Sequence, residues 1–332
     1  MADAPTLIPA TLTQPDESAR RAVRERASRV LRPTGALARI DDVAEWLAGW
    51  QRTTEPHVER PYAIVFVASH GVAAEGVSAY PSEVTEAMLA ALQGGVATAS
   101  VMARSLGVGL NVVDVGVEEP TANLLVEPAL SEPRFESCFD IGRRAVAELD
   151  TDLLVLGEMG IGNTTSASCL CHALFGLTPE DWTGRGTGID EVTLIHKAEV
   201  VARSCARVTD QAPLEVLRQL GGSELVAMAG AALEARRRSI PIVLDGFVVT
   251  AALATLEVER PGALDHTIAG HRSSEPGHRM LLEKLGKEPL LDLDLRLGEG
   301  SGALLALPLV RLAAACVNEV ATFEEWGLAT ER

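Results

Sequence analysis

Residues 150–176 read DTDLLVLGEMGIGNTTSASCLCHALFG, and the fold turns on how this stretch is parsed. TDLLVLG is a short continuous apolar run closed by glycine, and a helical pattern begins near Thr164. A buried strand, a glycine turn and a helix in that order make one α/β unit. Gly157 and Gly162 have the spacing of a phosphate-cradling loop, G-x-x-x-x-G-K-[ST], with Gly160 between them. The start of the helix would offer free backbone N–H groups to an anion, and Gly160 and Gly162 would let the backbone come close. Asn163 stands in the lysine position, however, and a carboxylate, Glu158, sits just inside the loop. A triphosphate needs that lysine and a magnesium-binding hydroxyl. A phosphomonoester needs less positive charge and no metal, so residues 157–165 suit a mononucleotide. A glycine-rich turn of purely structural purpose is the alternative.

The same grammar recurs. YAIVFVA (62–68) leads into His70-Gly71 and then a helical stretch near Ser82–Gln93; GLNVVDVGV (109–117) and IPIVLDGF (240–247) are two further apolar runs. Buried strands alternating with helices predict an α/β fold with a doubly wound, mainly parallel sheet. Residues 16–51 read as helices, and after HRSSEPGH (271–278) the chain returns mostly to helix. The expected division is a large α/β domain over 60–290 and a smaller helical domain from 1–59 and 291–332, which contributes Glu299. Ligands in such sheets sit at the carboxyl ends of the strands. That rule selects Ser69-His70-Gly71, Asp114-Gly116, Gly157–Thr165 and Asp245-Gly246.

The composition narrows the class. A 332-residue chain that is 47% hydrophobic has ample core, and a net charge of −17 excludes the basic patch that a nucleic-acid partner requires. Five cysteines, sparse and odd in number, read as reduced thiols. Cys169-x-Cys171 reads as a pair of buried thiols rather than a metal site. The N-terminus has no basic-then-apolar leader, and Arg311 and Pro308 interrupt the apolar stretch 302–318, which reads as a core or dimer-interface helix. A soluble cytoplasmic protein with no membrane contact is expected.

Several residues carry candidate chemistry. Glu158, beside the anion position, makes sense as an acceptor from sugar hydroxyls or as a group bearing on a cationic leaving group. Lys197 of TLIHKAEVV is a candidate for the missing cation, although a lysine on a helix is ordinarily solvated surface. Glu299 in RLGEGSGA (296–303) lies between two glycines and reads either as a positioned base or as a polar turn residue. His271, Glu275 and His278 superficially resemble metal ligands, but Pro276-Gly277 break the helix that would align them. No metal is expected, and Ser273 and Ser274 are candidate phosphate donors.

GEMGIGNTT, GRGTGID, LDGFVVTAALA, HRSSEPGH and RLGEGSGA, with HGVAAEGVSAYPSEVT upstream, together resemble the nicotinate-nucleotide:dimethylbenzimidazole phosphoribosyltransferase family, in its motif order and from about Leu31 to Phe323. The resemblance implies a Rossmann-like sheet domain with a small helical domain, a homodimer, and neither metal nor cofactor. It also implies transfer of phosphoribose from nicotinate mononucleotide to a benzimidazole, giving α-ribazole 5′-phosphate with inversion at the anomeric carbon. Glu299 falls at the family's general base. Gly160, Gly162, Asn163 and Thr164 fall where the 5′-phosphate is held, with Lys197 as a supporting cation, Ser273 beside the phosphate and Glu158 near the ribose. Tyr80 and Leu297 would border the acceptor. The chain departs from the family at Ser69, where A-D-H-G is usual, at RPTGALA (32–38), and in the short segment EEPTANLLVEPAL. These departures bear on acceptor choice. The same chemistry on another azole, a purine or a phenol stays open, as does a catalytically idle nucleotide-binding partner.

Overall fold

The computed structural model describes residues 7–328. Helices α1 (Glu17–Ala27) and α2 (Arg39–Gln51) precede β1 (Pro61–Ala68), and α3 (Val84–Gln93) and α4 (Thr98–Leu106) lead to β2 (Gly109–Gly116). After α5 (Glu132–Ala147) comes β3 (Leu153–Met159). A long helical excursion follows: α6 (Asn163–Phe175), α7 (Pro179–Trp182), α8 (Glu191–Ala206), α9 (Pro213–Leu220) and α10 (Ser223–Arg237). The chain then runs through β4 (Ile242–Leu244), α11 (Phe247–Glu259), β5 (Thr267–Arg272), α12 (Pro276–Lys284), β6 (Pro289–Asp292) and α13 (Ser301–Asn318).

The six strands form one sheet in the order β2-β1-β3-β4-β5-β6, and every pairing is parallel. The α/β class and the doubly wound sheet are therefore as the sequence indicates. Two strands are additional. β5 (TIAGHR) carries a glycine and ends in two polar residues, and β6 (PLLD) is a four-residue edge strand. Neither presents the continuous apolar run that marks a central parallel strand.

Alternate residues of the strands serve two cores, because side chains on a strand alternate between its faces. Ile64, Phe66, Leu154, Leu156, Ile242 and Leu244 pack with α5, α6, α9, α10 and α11 on one side. Ala63, Val65, Val67, Leu153, Val155 and Val243 pack with α1, α2, α4 and α13 on the other. The N-terminal and C-terminal helices thus meet on one face of the sheet.

Among the described residues, α13 is the one helix long and apolar enough to cross a membrane. Here it is a core helix, with Leu304, Leu307, Val310 and Val317 fully buried. Pro308 lies inside it, and the helix runs on as one element, as the sequence reading of a core helix over 302–318 expects. A proline here removes one N–H from the helix ladder, and burial of the flanking apolar residues holds the helix through that gap. Arg311 reaches out to donate to the carbonyl of Leu106 at 2.8 Å.

Candidate active site

The carboxyl ends of β1, β3 and β4 form a rim. β3 runs out at Glu158-Met159 and turns through Gly160 and Gly162 into α6, with Gly162 at φ 99°, a conformation that favours glycine. The Ile161 N–H is held by Thr85 Oγ1 at 3.2 Å, which fixes the turn against α3. Thr164, in the first turn of α6, accepts a hydrogen bond from Lys197 Nζ at 2.8 Å, and the same ammonium donates to the Gly184 carbonyl at 3.0 Å. Lys197 is completely buried. The usual fate of a helical lysine, a solvated surface position, does not apply. Burial lowers its pKa to about 8, with Glu275 opposing the shift, so the group is still a cation at neutral pH.

Glu158 is also buried. Its carboxylate accepts from the Asn163 side-chain amide, so the residue occupying the lysine position of a triphosphate loop is committed to a carboxylate. Burial, then the charges of Glu224 and Asp245, push the Glu158 pKa up to about 8. At neutral pH this carboxyl is therefore mostly protonated, which removes the objection to an acid beside an anion site.

Glu299 stands directly against β3. Its N–H donates to the Glu158 carbonyl at 3.0 Å. Gly157 lets the turn sit this close, since a Cβ there would lie 2.5 Å from the backbone of Glu299 and Gly300. Glu299 adopts φ 66°, in the left-handed region. For a non-glycine residue this conformation is costly and persists where the surroundings over-determine it. Those surroundings are Asp245, which caps the start of α13. Its carboxylate accepts from the N–H groups of Gly300 (3.1 Å), Gly302 (2.8 Å) and Ala303 (3.1 Å). Glu299 Oε2 accepts from the Ala99 N–H at 3.1 Å, in the first turn of α4. Burial raises the Glu299 pKa above the usual carboxylate value, the Ala99 amide opposes the shift, and Asp245 adds to it.

A further buried pair lies beneath the phosphate-type loop and was not singled out from the sequence. His70 Nε2 is 2.6 Å from Glu224 Oε1, and His70 Nδ1 is 3.3 Å from Ser166 Oγ on α6. Glu224 opens α10, whose described residues are otherwise almost wholly apolar or small over Leu225–Leu233. An acid at the head of so apolar a helix is the signal that could have found it. Ser69, at the position of departure from A-D-H-G, is buried and donates to the Val117 carbonyl at 2.8 Å.

The remaining candidates are more dispersed. Ser273 is turned to His278, its N–H donating to Nδ1 at 2.9 Å and its hydroxyl 3.1 Å from the same nitrogen. Ser274 is tied to the Leu295 carbonyl through its N–H at 2.8 Å. His271 lies 3.4 Å from Asp245, and Glu275 accepts from the Gly186 N–H at 2.8 Å. The three residues with superficial metal-ligand character thus face different neighbours. Cys169 and Cys171 are buried on α6, free, with their thiol pKa values raised by burial. Tyr80 and Leu297 are exposed. A cavity of about 310 Å³ lies beside the Lys197 region, lined by Gly184, Arg185, Ser274, Glu275 and Arg296. A larger hollow of about 530 Å³ at the β2 edge is lined by Gln93, Ser100, Arg104 and Asn111. It lies away from the carboxylates and the anion loop, so we assign it no part in the chemistry.

The rim thus joins a glycine turn at the head of α6, with a buried lysine behind it, to a carboxylate in a left-handed turn whose pKa burial has raised. Such a site can hold a phosphate and take a proton. A protein-family model described as phosphoribosyltransferase matches residues 12–328. Nicotinate-nucleotide–dimethylbenzimidazole phosphoribosyltransferase of Jannaschia sp. (strain CCS1) is 48% identical over 322 residues, covering 96% of this chain and 95% of the relative. The protein of the same name from Brucella anthropi is 46% identical over 319 residues, covering 96% and 94%. The crystal structure of CobT from Thermus thermophilus superposes with a TM-score of 0.90 at 44% identity, covering 94% of this chain and 99% of that one.

Proposed function

The chain belongs to the nicotinate-nucleotide–dimethylbenzimidazole phosphoribosyltransferase family, and on that premise we propose that it moves phosphoribose from nicotinate mononucleotide to dimethylbenzimidazole with Glu299 as general base. The products are nicotinate and α-ribazole 5′-phosphate. The observation that carries the role of Glu299 is its geometry: a buried carboxylate in a left-handed turn, raised in pKa, directly beside the strand end that launches the anion loop.

The proton balance needs one base. A ring nitrogen of the azole forms a bond to the anomeric carbon as the nicotinate nitrogen leaves with its bonding pair, becoming a neutral pyridine nitrogen. The azole N–H proton passes to the Glu299 carboxylate. A raised pKa suits this task, since a base works best when its pKa approaches the operating pH. Gly160, Gly162, Asn163 and Thr164 hold the 5′-phosphate at the α6 N-terminus, with Lys197 supplying the cation through Thr164 and Ser273 completing the cradle. Glu158, protonated, faces the ribose. Tyr80 and Leu297 border the azole. The reading also includes a cytoplasmic homodimer, with residues 60–290 as the α/β domain and 1–59 plus 291–332 as the smaller one.

The test is nicotinate release from nicotinate mononucleotide with dimethylbenzimidazole, benzimidazole, adenine and phenol as acceptors. Release dependent on a benzimidazole is expected. Tight mononucleotide binding with no release for any acceptor would overturn the proposal in favour of an idle nucleotide-binding protein.

A further inference from the structure

We propose that Thr187 is a positioning residue that ties the acceptor-side segment 78–80 to the loop over Lys197, so that the acceptor wall is set by the phosphate side of the site. The inference rests on the reading of the site given above.

Thr187 lies in GRGTGID between Gly186 and Gly188, both at positive φ (49° and 101°). Its Oγ1 accepts from the Ala79 N–H at 2.9 Å and lies 3.0 Å from Ser78 Oγ. Ser78 Oγ in turn accepts from the Tyr80 N–H at 3.2 Å. Two linked hydroxyls, those of Thr187 and Ser78, therefore hold three consecutive residues, of which Ala79 and Tyr80 are exposed.

The backbone on either side of Thr187 is held by the opposite part of the site. A Cβ at Gly186 would lie 2.9 Å from Thr164 Oγ1 and 3.3 Å from Lys197 Nζ. The Gly186 N–H donates to Glu275, its carbonyl accepts from Arg296 at 3.4 Å, and the Gly184 carbonyl accepts from Lys197. Next to Lys197 on α8, His196 Nε2 lies 2.8 Å from the Glu75 carbonyl, which draws the start of the same segment towards that helix. A displacement of Lys197 and Thr164 is thus carried through a loop of a few residues to Tyr80.

The experiment compares Thr187→Val, Thr187→Ser, Ser78→Ala and Thr187→Val/Ser78→Ala with the wild type. Valine keeps the shape and removes the hydroxyl, taking away two hydrogen bonds of ordinary net strength. At saturating mononucleotide the azole KM should rise about tenfold, with the mononucleotide KM within about twofold of wild type. Thr187→Ser should restore the azole KM, and the double variant should show less than the sum of the two single effects, because the Thr187–Ser78 contact is shared while the Ser78–Tyr80 bond is lost only with Ser78. Equal increases in both KM values, an unchanged azole KM, or failure of serine to restore it would overturn the proposal. Amide exchange at Ala79, read without turnover, should be faster in the valine variant and normal in the serine variant. Unchanged exchange overturns the tie itself. A wild-type protein that releases no nicotinate with any azole overturns the functional reading and with it the acceptor role, whatever the exchange data show.

Discussion

Lys197 is wholly buried between Thr164 and the Gly184 carbonyl, while Tyr80 and Leu297, across the same rim, are 55% and 46% exposed. On the proposed reading the anion side is assembled in advance: its turn is pinned by Thr85, its amide by Glu158 and its cation by two acceptors. The acceptor side, on the same reading, has exposed side chains: Tyr80 on a segment tied down through backbone amides, and Leu297 outside it. Groups ordered before binding lose little freedom on binding, whereas exposed ones must be immobilised by the ligand. The contrast fits a substrate pair in which one phosphate is always the same and the azole can vary.

The sharpest way to break this comparison is at the residue between the two sides. Glu299→Ala should lower kcat by about 10²- to 10⁴-fold while leaving equilibrium binding of the mononucleotide near wild type; a matching loss of that binding would remove Glu299 from the role of base. The wild-type acid limb of kcat/KM should lie above pH 4.5, because the Glu299 pKa is raised and the base works only when deprotonated. Activity should therefore rise with pH through that limb, and the limb should vanish from the residual rate of the variant.

Lys197→Met tests the anion side alone. With the buried ammonium gone, the mononucleotide KM should rise roughly ten- to a hundredfold, the size of losing a charge-assisted phosphate contact, with the azole KM changing far less. An unchanged mononucleotide KM would place Lys197 in a purely structural role. The smallest effect belongs to Tyr80→Ala. An exposed ring at the edge of the acceptor should alter the azole KM by only about two- to fivefold, and a larger change in the mononucleotide KM than in the azole KM would erase the distinction between the two sides.

The sheet was legible in its central strands, where burial is two-sided, and in the edge strand β2, whose run GLNVVDVGV is mostly apolar. β1 and β3 are continuous apolar runs because both faces of a central parallel strand are covered, and β4 carries the same signal over IPIVLDGF. β5 and β6 lie towards one edge, and the glycine and polar residues of β5 hid it. The anion loop was legible through its glycine spacing, since spacing is local. The burial of Lys197 was not. It depends on the 184–188 loop folding over α8, a contact that no helical periodicity records. The His70–Glu224 pair joins residues 154 positions apart; the sequence placed His70 on the rim, whereas Glu224 left only an acid ahead of an apolar run as its trace. The resemblance to a known family supplied what local pattern could not, namely which of several plausible carboxylates is asked to act as base.

Helices α6, α11 and α13 begin at this rim, and each carries a positive pole at its first turn. Asp245 corks the pole of α13 with one fixed carboxylate that accepts three backbone N–H hydrogen bonds. The first turn of α6 has no side-chain cap, so its pole stays open towards the rim. On the proposed reading, a substrate with a phosphate at one end and a sugar at the other would lie with its tail at α6 and its anomeric carbon towards Glu299. Removing the cork, as in Asp245→Asn, would give the phosphate a second place to point.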